Sequence, residues 1–207
     1  SRGMTYKNAL AGLHYGGGKT VIVGKPGTKH PPAEFMEALG HMLNQLEGRY
    51  ETGEDVGTRS QDFRIAGKYT DFVRIRTLEK MGAQDLAGGP PLYTAFGVYY
   101  GIKAAVKHKF KTDSLKDLRF AVKGLRNVAS PLCKLLYADG ARLTIADIDP
   151  IKVERAQKDW QALASSPKDI IFEDVDVYVP CALGGDINPD TVHKIKAQII
   201  AGAANNR

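Results

Sequence analysis

Apolar positions follow two different regimes along the chain. From about residue 118 onward they come as short runs, each read as a strand: Leu118-Arg119-Phe120-Ala121-Val122, Ala141-Arg142-Leu143-Thr144-Ile145-Ala146-Asp147, Val175-Asp176-Val177-Tyr178-Val179-Pro180 and Gln198-Ile199-Ile200-Ala201. Between them, Leu132, Leu135 and Leu136 recur at helical spacing, as do Ile151, Val153, Ala156, Trp160 and Leu163 over residues 150–163. Strands alternating with helices in this way predict an α/β fold with a parallel, doubly wound sheet. The earlier part is less regular. Thr20-Val21-Ile22-Val23 reads as a short buried strand, and Pro31 and Pro32 open a helix. Its core stripe is expected from Phe35, Leu39, Met42, Leu43 and Leu46. Arg49-Tyr50-Glu51-Thr52 is strand-like, and Ser60 is placed to cap a helix reaching about Tyr69. Residues 77–91, with Gly82, Gly88, Gly89, Pro90 and Pro91, read as a linker, followed by a long helix from Tyr93 to Phe110.

Length and charge narrow the classes. A chain of 207 residues allows one large domain or two modest ones, and 43% hydrophobic with 25% charged residues excludes a disordered chain. The net charge of +6 is spread over scattered lysines with no basic run, so no nucleic-acid partner is expected. Cys133 and Cys181 stand alone and read as small buried hydrophobes, which argues against a disulfide framework or a cysteine zinc site. The histidines are widely separated, so no metal is expected. No apolar run approaches the ~20 residues of a membrane span, so the expectation is a soluble, cytoplasmic protein with no membrane partner. The 22 glycines exceed the usual share of about 7% and cluster, which marks sharp turns or close backbone approach to a ligand.

One cluster has a recognisable layout. A strand ends at Gly124-Leu125-Arg126-Asn127-Val128-Ala129, a helix and a second strand follow, and Asp147 closes that strand. A dinucleotide fits this order, with the acid on the ribose hydroxyls, where it would repel the extra phosphate of NADP and so favours NAD. The fingerprint departs at Arg126, which stands where a second glycine lets the backbone approach the pyrophosphate. A guanidinium there either folds outward onto phosphate oxygens or occludes the site. Pro131, read as lying beyond the first helical turn, would remove a helix hydrogen bond.

Six strings occur in an order that carries a family likeness: Thr5-Tyr6-Lys7-Asn8; Gly16-Gly17-Gly18-Lys19; Glu54-Asp55-Val56-Gly57-Thr58; Thr94-Ala95-Phe96-Gly97-Val98; Pro180-Cys181-Ala182-Leu183-Gly184-Gly185; and Ala201-Gly202-Ala203-Ala204-Asn205-Asn206. Together they resemble the Glu/Leu/Phe/Val dehydrogenase family over essentially the whole chain, most closely its leucine and phenylalanine dehydrogenases. The resemblance implies a substrate domain over residues 1–92 and a Rossmann-type NAD-binding domain over 93–207. Because family enzymes are longer, it implies that both are incomplete. It also implies a homo-oligomer that oxidatively deaminates an apolar L-amino acid to a 2-oxo acid and ammonia. By the same likeness Lys7 holds the substrate carboxylate, Lys19 activates water and Asp55 exchanges a proton with the amino group. Gly17 joins the substrate-binding set. Gly53 is read as leaving room for a bulky or aromatic side chain. The cofactor set is Thr94, Gly124, Arg126, Asn127, Val128, Asp147, Cys181, Ala182 and Asn205, with Thr94 and Asn205 on the nicotinamide amide. Gly184, Gly185 and Gly202 would let backbone pass close to the cofactor. Arg126 and Pro131 also motivate a second reading, a catalytically impaired relative serving as a binding or assembly subunit.

Overall fold

Short runs of Val, Ile, Phe and Leu bounded by turn residues pair most readily inside a sheet covered on both faces, and the second part of the chain takes that form. In a computed structural model, which describes residues 1–28, 30–74 and 89–204, the chain divides into two compact units, Ser1–Leu86 and Ala87–Arg207.

The second unit opens with helix α4 (Gly89–Phe110) and contains strands β1 (Arg119–Lys123), β2 (Arg142–Ala146), β3 (Leu163–Ala164), β4 (Val177–Pro180) and β5 (Ile199–Ile200). Helices α5 (Ala129–Ala138) and α6 (Pro150–Trp160) fall between the early strands. The sheet order is β3-β2-β1-β4-β5, every pairing parallel. Phe120 sits between Leu143 and Val177, and Val122 between Ile145 and Val179. These residues join Ile102, Val106, Leu132, Leu136 and Ala156 of α4, α5 and α6 in one core. Burying each of the larger side chains is worth about 1.5–3 kcal/mol. The opposite face, with Ala121, Ala146 and Tyr178, is covered by Ile170, Ile171 and Val175. From β1 the chain winds outward to β3 and then restarts at β4 on the other side. The carboxyl ends of β1 and β4 therefore flank the point where strand order reverses, where open α/β sheets bind ligands.

The first unit contains α1 (Arg2–Leu10), α2 (Ala33–Gln45) and α3 (Ser60–Ala66). The buried face of α2 is Met36, Leu39, Gly40 and Leu43, packed with Phe63, Ala66 and Val73. Phe35 and Met42, assigned to the core stripe, are turned outward instead. Gly40 explains the rotation: a Cβ there would lie 2.6 Å from the Ala66 carbonyl oxygen, so α3 approaches along this face. The strand expected at residues 20–23 is irregular backbone with Val21 and Val23 exposed, because among the described residues no strand lies beside it to take its hydrogen bonds. Only Thr52 of the strand-like 49–52 segment pairs, in a parallel bridge to Val73.

Several boundaries also shift. The cap of α3 is Arg59, whose N–H donates to Asp62 Oδ2 at 2.8 Å, while Ser60 pairs with Glu54. Pro90 and Pro91, read as linker, lie in the first turn of α4, where a missing N–H has no helical partner in any case. Residues 77–88 of that linker lie outside the described residues. Pro131 is likewise the third residue of α5, inside the first turn, so it removes no helix bond.

Candidate functional site

The first unit brings together two groups far apart in sequence: the Lys19 ammonium donates to Asp55 Oδ2. Each partner is built in from its own side. Asp55 opens a turn closed by Thr58 N–H to the Asp55 carbonyl at 3.0 Å, with Gly57 at φ +84°. Its Oδ1 accepts the Val56 N–H at 2.8 Å, and the Thr58 hydroxyl donates back to the Asp55 carbonyl at 2.9 Å. The E-D-V-G-T string is thus turn chemistry that aims one carboxylate oxygen at a lysine. On the other side, the glycine run packs tightly. A Cβ on Gly17 would collide with the Ser1 carbonyl and with Thr5 of α1, and one on Gly18 with the Tyr50 ring. Thr20 Oγ1 donates to the Tyr50 hydroxyl at 2.9 Å, and Asn8 Nδ2 to the Gly16 carbonyl at 2.8 Å. Lys19 therefore leaves a backbone pinned on both sides. Its side chain and that of Asp55 stay 45% and 52% exposed, so a solute can reach both.

Lys7 lies on α1, one residue from the Asn8 that ties the helix to the glycine run. Its ammonium is exposed and has no acidic or hydrogen-bonded partner among the described residues. Gly53 sits two residues before Asp55, but the space it leaves is not open. A Cβ there would stand 3.1 Å from Arg74 Cβ, so the stem of Arg74 occupies the volume that had been assigned to a bulky substrate. Tyr50 and Thr20, which hold the lysine segment, carry no motif and were not singled out from sequence.

In the second unit the glycine turn follows β1 directly. Gly124 has φ +93°, and a Cβ there would lie 3.0 Å from backbone atoms of Cys181 and Ala182, so only glycine fits. Asp147, just past β2, accepts the Leu125 N–H on Oδ2 at 2.6 Å and the Asp149 N–H on Oδ1 at 2.9 Å. It thus ties the turn to the end of β2 and retains acceptor capacity on both oxygens. Arg126 and Asn127 are exposed, and Val128 is the N-cap of α5. Arg126 takes no positive φ, so no backbone strain opposes its side chain, and its guanidinium has no acidic partner among the described residues. Cys181 and Ala182 are half-buried at the carboxyl end of β4, where the Cys181 N–H donates to the Lys123 carbonyl at 2.8 Å. Cys133 is wholly buried in the core, which raises its thiol pKa well above the usual range. Thr94 is exposed on α4. Gly202 owes its missing side chain to the Pro180 backbone, which a Cβ would overlap, so close strand-end packing accounts for it. Asn205 lies outside the described residues. Among the described residues no cluster of His, Cys, Asp or Glu is arranged to hold a metal, and no helix is long and apolar enough to cross a membrane.

The fold and its paired groups define an α/β protein with a parallel sheet and a glycine turn at the strand-order reversal. Residues 1–71 match the Glu/Leu/Phe/Val dehydrogenase dimerisation domain. Over its whole length the chain is 49% identical to leucine dehydrogenase of Bacillus subtilis, covering 56% of that protein. It is 46% identical to leucine dehydrogenase of Bacillus cereus, covering 55%. The crystal structure of L-tryptophan dehydrogenase from Nostoc punctiforme superposes with a TM-score of 0.76 at 39% identity, over all of this chain and 56% of that one. The chain belongs to the Glu/Leu/Phe/Val dehydrogenase family. It spans a little over half the length of the curated relatives it matches.

Proposed function

We propose that this chain carries the catalytic pair and the dinucleotide-binding turn of an NAD-dependent L-amino-acid dehydrogenase, which converts an apolar L-amino acid and water to a 2-oxo acid and ammonia. The observation that carries the reading is the Lys19–Asp55 pair, exposed and held on two rigid segments. Support for the apolar substrate comes from the leucine- and tryptophan-specific names of the relatives.

The chemistry follows from the groups. The Lys7 ammonium holds the substrate carboxylate as a point charge. Asp55 accepts a proton from the substrate ammonium, leaving a neutral amine whose lone pair drives hydride departure from Cα. When bound, NAD supplies the acceptor for that hydride. Lys19 then orients water onto the resulting iminium carbon and stabilises the oxygen that forms there. Loss of ammonia, with its proton supplied through Asp55, releases the 2-oxo acid.

In the second unit, the residues fit a Rossmann-type dinucleotide site. Gly124 provides the tight turn and Asp147 stands at the end of β2, where a ribose would lie; at the start of α5 the Ser130 N–H is already bonded to the Arg126 carbonyl and Pro131 has none, so a pyrophosphate would find few helix amides there. Arg126, unstrained and with no acidic partner among the described residues, supplies a cation to the same phosphates in place of the close backbone approach a glycine would give. With catalytic dehydrogenases as relatives and Pro131 harmless in the first turn, an impaired assembly subunit is not favoured. Interchain contacts through residues 1–71 are expected from the dimerisation-domain match, giving a homo-oligomer.

The test is NADH formation with a panel of L-amino acids at alkaline pH. Leucine, valine or tryptophan should turn over faster than glutamate, and Lys19→Ala or Asp55→Asn should each reduce kcat about 10²–10⁴-fold. Activity that survives both substitutions refutes the roles assigned to them.

A further inference from the structure

Lys123 is the last residue of β1, adjacent to Gly124, and none of the chemistry above uses it. Its side chain is only 18% exposed and its ammonium pairs with Asp186 Oδ1 at 2.6 Å, while Asp186 Oδ2 accepts the Tyr178 hydroxyl at 3.1 Å. Asp186 belongs to the segment after β4, and its own carbonyl accepts the Thr191 hydroxyl at 2.5 Å. The Lys123 carbonyl meanwhile accepts the Cys181 N–H at 2.8 Å. One residue thus holds both ends of the arch Ala182-Leu183-Gly184-Gly185, by main chain at Cys181 and by side chain at Asp186. The beginning of the same arch is what excludes a side chain from Gly124.

A half-buried ion pair is a poor source of net stability, because desolvation offsets much of the attraction. Its geometry is nonetheless definite, and it joins the two strand ends that flank the strand-order reversal. We infer that Lys123 is a positioning residue which, through Asp186, fixes the arch after β4 so that its backbone is presented to the nicotinamide half of a bound dinucleotide. This rests on the dinucleotide reading above. The adenosine half belongs to the β1–β2 side, where Asp147 and the glycine turn are tied together by bonds independent of Lys123.

The two halves give the test. Affinity for NADH and for ADP is measured by calorimetry on the wild type, Lys123→Met, Asp186→Asn and Lys123→Arg, with unfolding midpoints followed by fluorescence of Trp160, the single tryptophan. Asp186→Asn keeps the shape of the carboxylate and guards against a Lys123→Met chain that fails to fold. The expected result is that NADH affinity falls about tenfold in Lys123→Met and Asp186→Asn, the equivalent of one charge-assisted hydrogen bond. ADP affinity should stay within about twofold, and Lys123→Arg should restore NADH binding by renewing the pair. Parallel loss of NADH and ADP affinity together with a lowered midpoint would make the pair merely structural and overturn the inference. Unchanged NADH affinity would overturn it while leaving the dinucleotide reading intact. A wild type that binds neither ligand would overturn both.

Discussion

Replacing Gly124 by alanine adds one methyl group at the tightest point of the proposed dinucleotide turn. Two effects oppose it. At φ +93° an L-residue lies outside its comfortable region, at a cost of about 1–3 kcal/mol. The new Cβ would stand 3.0 Å from the carbonyl carbon and oxygen of Cys181 and from the amide nitrogen of Ala182. None of these is a side-chain end that can swing away. The Cys181 N–H is bonded to Lys123 and the Ala204 N–H to Pro180, so the arch cannot retreat without breaking backbone bonds. Overpacking against fixed backbone adds about 1–3 kcal/mol. Together the loss should be about 2–6 kcal/mol, a large share of the stability of a domain of this size. Trp160, at the end of α6 and packed against the main core, reports this unit by itself, so urea unfolding followed by its fluorescence reads the loss directly. A Gly124→Ala unfolding free energy within about 0.5 kcal/mol of wild type would refute the claim that the turn and the arch are in forced contact.

Other outcomes follow from single contacts. Arg126→Ala should weaken NADH binding and flatten its dependence on salt, since a phosphate contact made by an exposed cation is screened. Tighter binding in the variant would mean that Arg126 obstructs the site. Gly53→Ala should leave the preference among leucine, tryptophan and valine unchanged, because the space beside it belongs to Arg74. A shift toward smaller substrates, read from kcat/KM, would return that glycine to the pocket wall. The hydrogen bond from the Tyr99 hydroxyl, with Lys103 at 3.3 Å, holds the Asp139 carboxyl below the usual range. Its contribution is therefore fully present above the unfolded value of about 3.9 and is lost as pH falls through the folded one. Asp139→Asn should remove about 1 kcal/mol at neutral pH and flatten the acid limb of the stability profile below pH ~4, the partners being about a third exposed. An unchanged acid limb would show that the contact is not made in solution.

The parallel sheet was legible because the inner parts of its strands are buried on both faces and so appear as short, mostly apolar runs, with Gly124 and Asp147 marking the ends of two of them. The short strand β3 was hidden. Residues 150–163 keep helical periodicity, yet α6 ends at Trp160 because Gln161 takes the left-handed conformation, which a glutamine does not advertise. The core face of α2 was misread for a related reason. Phe35 and Met42 satisfy a rough helical spacing, but the close approach of α3 at Gly40 selects the face one position round. Helix α1 buries none of its residues, so no apolar stripe announces it. At the candidate site, the G-G-G-K and E-D-V-G-T strings identify Lys19 and Asp55, but spacing alone carries no sign that the two side chains meet. The contacts that hold them, Tyr50 to Thr20 and Gly17 to α1, depend on tertiary packing. Lys123 and Asp186 were invisible for the same reason: each is an ordinary charged residue until the sheet brings them together.

In the proposed reaction Asp55 frees the amine that expels hydride from an L-amino acid to NAD, and Lys19 directs water onto the iminium that results, so sustained turnover needs both. The most direct measurement supplies L-leucine deuterated at Cα with NAD and follows the label by mass spectrometry. The wild type should give deuterated NADH and unlabelled 2-oxo acid in equal amounts, and both products should collapse under turnover in Lys19→Ala and Asp55→Asn. Undiminished label transfer in those two variants, or 2-oxo acid formed without any deuterium reaching NADH, would contradict the proposed reaction.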